Sequence, residues 1–136
     1  MSRETFIEWH DGLAIGVEPF DREHRDLIDA INALHALGGS HGDAAAFAHA
    51  VDRLIHVAED HFSNEERVLR QNRCPNFGLH QREHEELLDD VTALRLVGND
   101  PAEVTQMLQM LRDWLLDHIV NFDQDYRHCL DGKEIR

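Results

Sequence analysis

Apolar residues recur along this chain at alternating steps of three and four, and the pattern stops only where glycine and proline gather. Those breaks fall around Gly12 to Pro19, at Gly38-Gly39-Ser40-His41-Gly42, at Cys74-Pro75-Asn76 and at Gly98-Asn99-Asp100-Pro101. Four long segments lie between them. From about Pro19 to Leu37 the stripe reads Phe20, His24, Leu27, Ile31 and Leu34, and from about Asp43 to Asn72 it reads Phe47, Val51, Leu54, Ala58, His61, Glu65 and Val68. The third segment, about Asn76 to Val97, carries Phe77, His80, His84, Leu87, Val91 and Leu94. The fourth, about Pro101 to Leu130, starts Val104, Met107, Leu111, Trp114 and His118. Such spacing keeps side chains on one face of a helix, whereas a strand alternates every second residue. Pro101 after Asn99-Asp100 suits a helix start, and Gly38-Gly39 a helix end.

Four amphipathic helices on short connections predict an all-α fold, an antiparallel up-down-up-down four-helix bundle over about residues 19–130. Residues 1–18 are expected to form an N-terminal arm, because Phe6, Trp9, Leu13, Ile15 and Val17 are too apolar to be left in water. The 136 residues are read as one domain, 1–136, large enough to bury a core without covalent staples. Cys74 and Cys129 match no metal or redox spacing and are read as reduced thiols.

Charge excludes some partners. Thirteen Lys and Arg against 27 Asp and Glu give a formal net charge of −14, which repels the phosphates of nucleic acid and an anionic membrane surface. No run reaches the ~18 apolar residues of a membrane span, and Met1 to Phe6 lacks a secretory pattern, so a cytoplasmic location is expected.

The eleven histidines are the informative excess. His24, His61, His80, His84 and His118, together with Glu65, occupy seam positions where a bundle normally holds Leu or Ile. Burying them unpaired costs several kcal/mol. Counting from the end of the bundle with the first and third connections, His24 lies 14 residues before Gly38 and His61 18 beyond Asp43; His84 lies 13 before Val97 and His118 17 beyond Pro101. At the helical rise this sets all four helices' imidazoles about 20 to 27 Å from that end, within a turn and a half of one another. A lone core histidine is ordinarily satisfied by a single hydrogen bond. Residues from four helices meeting at one height point instead to a shared ligand.

Asp123 lies five residues beyond His118, about 140° around an ideal helix. A looped-out residue between them, a π-bulge, would return Asp123, Tyr126 and Leu130 to the seam, so a widened turn is expected there. With Asp123 the set is five imidazoles and two carboxylates, too many for one four-coordinate zinc. Two metals sharing both carboxylates and a solvent oxygen would leave the histidines divided three and two, so that one metal keeps an open position. Imidazole suits Fe, Zn, Cu and Ni, and a nitrogen-rich octahedral set with bridging carboxylates favours iron. So neutral a set stabilises high-valent iron poorly, which favours reversible binding over oxidation.

In order and interval these residues resemble the hemerythrin family, specifically the bacterial bacteriohemerythrins. The resemblance is carried by Trp9, Gly16-Val17, Phe20-Asp21-x-Glu23-His24, His61-Phe62-x-x-Glu65-Glu66, His80-x-x-x-His84 and Trp114-Leu115-x-x-His118-Ile119-x-x-x-Asp123. It implies two Fe ions with a bridging oxo or hydroxo group. His80, His84 and His118 would hold the closed iron, His24 and His61 the open one, and Glu65 and Asp123 would bridge. It further implies that dioxygen binds the open iron reversibly, for storage, delivery or sensing, without enzymatic turnover and with no catalytic residue. Leu27, Phe62, Trp114 and Ile119 match apolar pocket positions, and Asn121 falls where animal members commonly carry leucine, so its amide is expected to reach bound oxygen or admit water. Leu69 and Cys74 are expected to be packing variants. The competing readings are a di-iron redox enzyme acting on peroxide or nitric oxide or in iron-centre repair, and a zinc-holding structural bundle. A lone domain without an output module favours storage or delivery over signalling; the sequence names no protein partner.

Overall fold

The computed structural model describes residues 6–37, 44–75, 77–97, 101–123 and 127–130. Helix α1 runs Glu18–Leu37, α2 Ala44–Gln71, α3 Phe77–Val97 and α4 Pro101–Asp117, with a short α5 at Arg127–Leu130. There is no strand among the described residues. α1 packs on α2, α2 on α3 and α3 on α4, and α4 returns to α1, which closes the four into a bundle. The apolar stripes meet inside: Leu27, Ile31 and Leu34 of α1, Val51, Leu54 and Ala58 of α2, Val91 and Leu94 of α3, and Val104, Leu108 and Leu111 of α4 are all buried. Each large aliphatic chain so enclosed contributes about 1.5–3 kcal/mol. No helix among the described residues is long and apolar enough to cross a membrane.

Ahead of α1 the arm is fastened to the bundle. Ile7, Leu13, Ile15 and Val17 are buried, and the Asn32 amide of α1 exchanges two 2.8 Å hydrogen bonds with the Ile7 backbone. Phe6 stacks on His35 of α1 and also lies under the Arg112 guanidinium of α4, while Arg25 covers Trp9. Gly16 takes φ 84°, a left-handed conformation that glycine adopts without steric cost. The turn is held by the buried carboxylate of Asp21, which accepts from the backbone N–H of Ile15 at 2.8 Å and of Gly16 at 3.3 Å. This fixes where α1 begins and therefore the height of His24.

α2 ends without glycine. Arg73 takes φ 53°, and the Cys74 N–H donates back to the Leu69 carbonyl at 2.9 Å, satisfying a carbonyl that the last turn leaves open. Here the reading of two reduced thiols is corrected, and with it the reading of Cys74 as a packing variant. Cys74 and Cys129 form a disulfide with Cα atoms 5.7 Å apart, across a sequence separation of 55. The spacing carried no sign of it, but α2 and α4 run in the same direction in an up-down-up-down bundle. The chain beyond each of these two helices therefore emerges at the same end.

α4 does not continue as a regular α-helix. From His118 to Asp123 the backbone widens into a π-helical turn, the feature expected from the five-residue interval. Hydrogen bonds in such a turn close between residues five apart, so the two ends of the interval come to one side of the helix.

Candidate metal centre

Each bundle helix brings polar side chains to the same depth. His24 comes from α1, His61 and Glu65 from α2, His80 and His84 from α3, and His118 from the first position of the π turn; all six are buried to within 2% of full enclosure. His61 and Glu65 lie one turn apart on α2, as do His80 and His84 on α3, so each pair shares a face.

Glu65 is the hub. His61 Nε2 stands 3.0 Å and His24 Nε2 3.9 Å from Glu65 Oε2, while His84 Nε2 stands 3.2 Å from Oε1. Two groupings of possible ligand atoms result, each with its atoms within 4.8 Å of one another: His24, His61 and Glu65, and Glu65, His84 and His118. The carboxylate belongs to both. His80 lies beyond that reach but beside it, its ring centroid 5.8 Å from that of His118 and 6.3 Å from that of His84. The π turn runs from His118 to Asp123; the Asp123 side chain, like Tyr126, lies outside the described residues.

The donor set fits a cation. Neither oxygen of Glu65 is reached by solvent or engaged in a well-formed hydrogen bond, and the same holds for His84 Nε2. Bonds of about 2.1 Å at right angles place neighbouring ligand atoms about 3 Å apart. The separations of 3.0 and 3.2 Å around Glu65 are of that size. Burial by itself would raise the Glu65 pKa; the charge of His61 and the close polar approach of His24, His61 and His84 outweigh it and hold the carboxyl well below its ordinary range. Glu65 is thus an anion in the centre of the bundle.

Outside this cluster stand two further carboxylates. Glu23 Oε1 is 2.8 Å from His61 Nδ1 and its other oxygen accepts from the Asn64 amide at 2.8 Å; Glu66 Oε2 is 3.2 Å from His84 Nδ1. Both fall within the short motifs read from the sequence, each the immediate neighbour of a seam residue, but neither was given a role there.

The pocket positions divide. Phe62 stacks on His84, centroids 3.9 Å apart, and Trp114 stacks on His118 at 4.6 Å. Leu27 and Ile119 are buried as well. Asn121 departs from expectation: it is exposed, and its amide donates to Asp117 Oδ1 at 2.6 Å, one turn back along the outer surface. That bond turns the amide away from the buried cluster.

Fold and site together define a four-helix bundle whose buried histidines and carboxylate could hold a cation. Comparison narrows the class: the family described as Hemerythrin HHE cation binding domain matches residues 15–127, and the chain belongs to the hemerythrin family. It is 32% identical to a bacteriohemerythrin of Stenotrophomonas maltophilia over 123 residues, covering 90% of this chain and 80% of that one. A bacteriohemerythrin of Methylococcus capsulatus is 30% identical over 114 residues, 82% of this chain and 86% of the relative. A crystal structure of a hemerythrin mutant superposes with a TM-score of 0.82 at 22% identity, covering 95% of this chain and all of that one, which establishes the shared fold.

Proposed function

We propose that this chain is a non-haem di-iron protein that binds dioxygen reversibly, for storage, delivery or sensing, and is not an enzyme. The observation that carries the reading is the sharing of Glu65 between two groupings of imidazoles, at 3.0 Å on one side and 3.2 Å on the other, within a sealed core. One carboxylate facing two sets of nitrogens suits a pair of metals better than one. His80, His84 and His118 would hold the closed iron, His24 and His61 the open one, with Glu65 and Asp123 bridging alongside an oxo or hydroxo group. When bound, the irons supply a redox-active pair with an open coordination position at which dioxygen is taken up.

The chain's own residues set how that pair is held. Three histidines holding one iron and two holding the other would make the halves unequal. Phe62 and Trp114 lie flat against His84 and His118, and with Leu27 and Ile119 they keep the surroundings apolar. That apolar lining would exclude water from a bound metal pair. The net charge of −14 argues against nucleic acid or an anionic membrane as partner.

The test is a redox cycle. Iron-loaded protein is reduced without air, exposed to oxygen and then placed under vacuum while the visible spectrum is recorded. A band that rises with oxygen and disappears when oxygen is withdrawn supports the proposal. Immediate and irreversible oxidation supports a redox enzyme instead, and a preparation that takes up zinc in preference to iron and stays colourless supports a structural metal site.

A further inference from the structure

We propose that Glu23 and Glu66 are positioning residues, each clamping one histidine of a different half of the metal centre. The inference rests on the metal-centre reading above. An imidazole offers a metal the lone pair of one nitrogen only if its proton sits on the other, and that N–H needs an acceptor. His61 turns Nε2 toward Glu65 at 3.0 Å and Nδ1 toward Glu23 at 2.8 Å; His84 turns Nε2 toward Glu65 at 3.2 Å and Nδ1 toward Glu66 at 3.2 Å. In each case the inner nitrogen faces the shared carboxylate and the outer nitrogen faces a separate one. A carboxylate oxygen accepts, so once Nε2 is given to a metal the outer carboxylate holds the Nδ1–H and the ring's orientation together.

The two clamps join successive helices. Glu23 of α1 holds a histidine of α2, and Glu66 of α2 holds a histidine of α3. Each precedes or follows a seam residue by one position, His24 or Glu65, so a helix turning about 100° per residue sets it on the flank, facing its neighbour. Glu23 is itself braced, because the Asn64 amide donates 2.8 Å to its second oxygen. Both carboxylates are one-fifth exposed, so each is reached from its own side of the bundle. The halves of the centre are therefore adjustable separately, and the braced, shorter Glu23 clamp is the stronger.

The experiment measures metal affinity in the full chain by competing anaerobic Fe²⁺ against a chelator, for Glu23→Ala, Glu66→Ala, their Gln counterparts and Asn64→Ala, each also combined with His24→Ala. Glu23→Ala is expected to weaken one of the two sites 10- to 100-fold and the other less than threefold; Glu66→Ala does the reverse. With His24→Ala already disabling its half, Glu23→Ala adds nothing, whereas Glu66→Ala still weakens the remaining site. Gln, which keeps an accepting oxygen, recovers part of the loss, and Asn64→Ala gives a smaller loss at the Glu23-dependent site. Proton–nitrogen-15 NMR of the metal-free protein supplies a readout independent of iron: the His61 Nδ1–H, held by Glu23 at 2.8 Å, gives a slowly exchanging signal in the parent that is lost in Glu23→Ala. Unchanged affinity at both sites, equal weakening of both, or a His61 Nδ1–H signal indifferent to Glu23 would overturn the proposal. A parent chain that binds no metal while its His61 Nδ1–H signal still follows Glu23 would overturn the metal reading and leave the clamp standing.

Discussion

Trp114 lies parallel to His118, one helical turn further on, with ring centroids 4.6 Å apart and planes within 10° of each other. Phe62 does the same to His84, at 3.9 Å and 6°. Flat stacking stops each imidazole from turning about its long axis and covers a ring face against water, so these aromatics restrain the imidazoles that they border. Phe62 is 2% exposed, and Phe62→Ala should cost about 3–5 kcal/mol in denaturant unfolding of the metal-free protein. The loaded variant should also oxidise spontaneously faster than the parent. A loss below about 1 kcal/mol would mean that the site collapses readily and that the stacking restrains little.

The register of the π turn can be tested by changing its length. Val120 is 49% exposed, so removing it sacrifices little core. Deleting Val120 puts His118 and the aspartate four apart, which an ordinary α-helix keeps on one face. Metal content should survive this deletion, with two irons per chain. Inserting an alanine after Val120 separates the same residues by six and should lose at least one iron. Equal iron content in both variants would remove Asp123 from the ligand set.

The Cys74–Cys129 bridge closes a loop of 55 residues around α3 and α4. In the chain-entropy account such a link stabilises by about 4 kcal/mol. Reducing the metal-free protein, or replacing both cysteines with serine, should lower the unfolding free energy by an amount approaching that figure. Denaturant titration with and without reductant measures it, and a change below about 1 kcal/mol would show that the bridge restrains nothing the bundle does not already hold. In a glutathione-buffered cytoplasm, the location expected from the sequence, the same titration across thiol potentials would show how far the bridge stays closed.

Glu65 gives the pH dependence a sign. Its carboxyl is held below the ordinary range in the folded protein. Unfolding returns it to about 4.3, so its contribution to stability is complete above that value and is lost as pH falls through the depressed folded value. Metal-free parent and Glu65→Gln should therefore differ most near neutrality and converge in strong acid. Acid unfolding of the two, followed by circular dichroism, checks this; a gap that widens on acidification would contradict it.

Much of the site was legible because several independent periodicities coincide. Steps of three and four put His24, His61, Glu65, His80, His84 and His118 inside, and antiparallel order put them at one depth; a misplaced register on any helix would have broken the agreement. The five-residue gap from His118 to Asp123 was legible for the same reason: a regular helix could not serve both ends of it. What the sequence hid depends on contacts between elements. The disulfide arises from α2 and α4 sharing a direction, which no interval between two cysteines encodes. Asn121 faces outward through a local bond to Asp117, and Glu23 and Glu66 flank the seam rather than lie on it, so a search for seam residues passes over them.

The most direct test of the account is the Mössbauer spectrum of ⁵⁷Fe-loaded protein, with iron and polypeptide quantified on the same sample. Two irons per chain, giving two equal signals that become distinct once oxygen is admitted, are the predicted result. Fewer than about two irons per chain, or a single signal unchanged by oxygen, would contradict a paired centre with unequal halves.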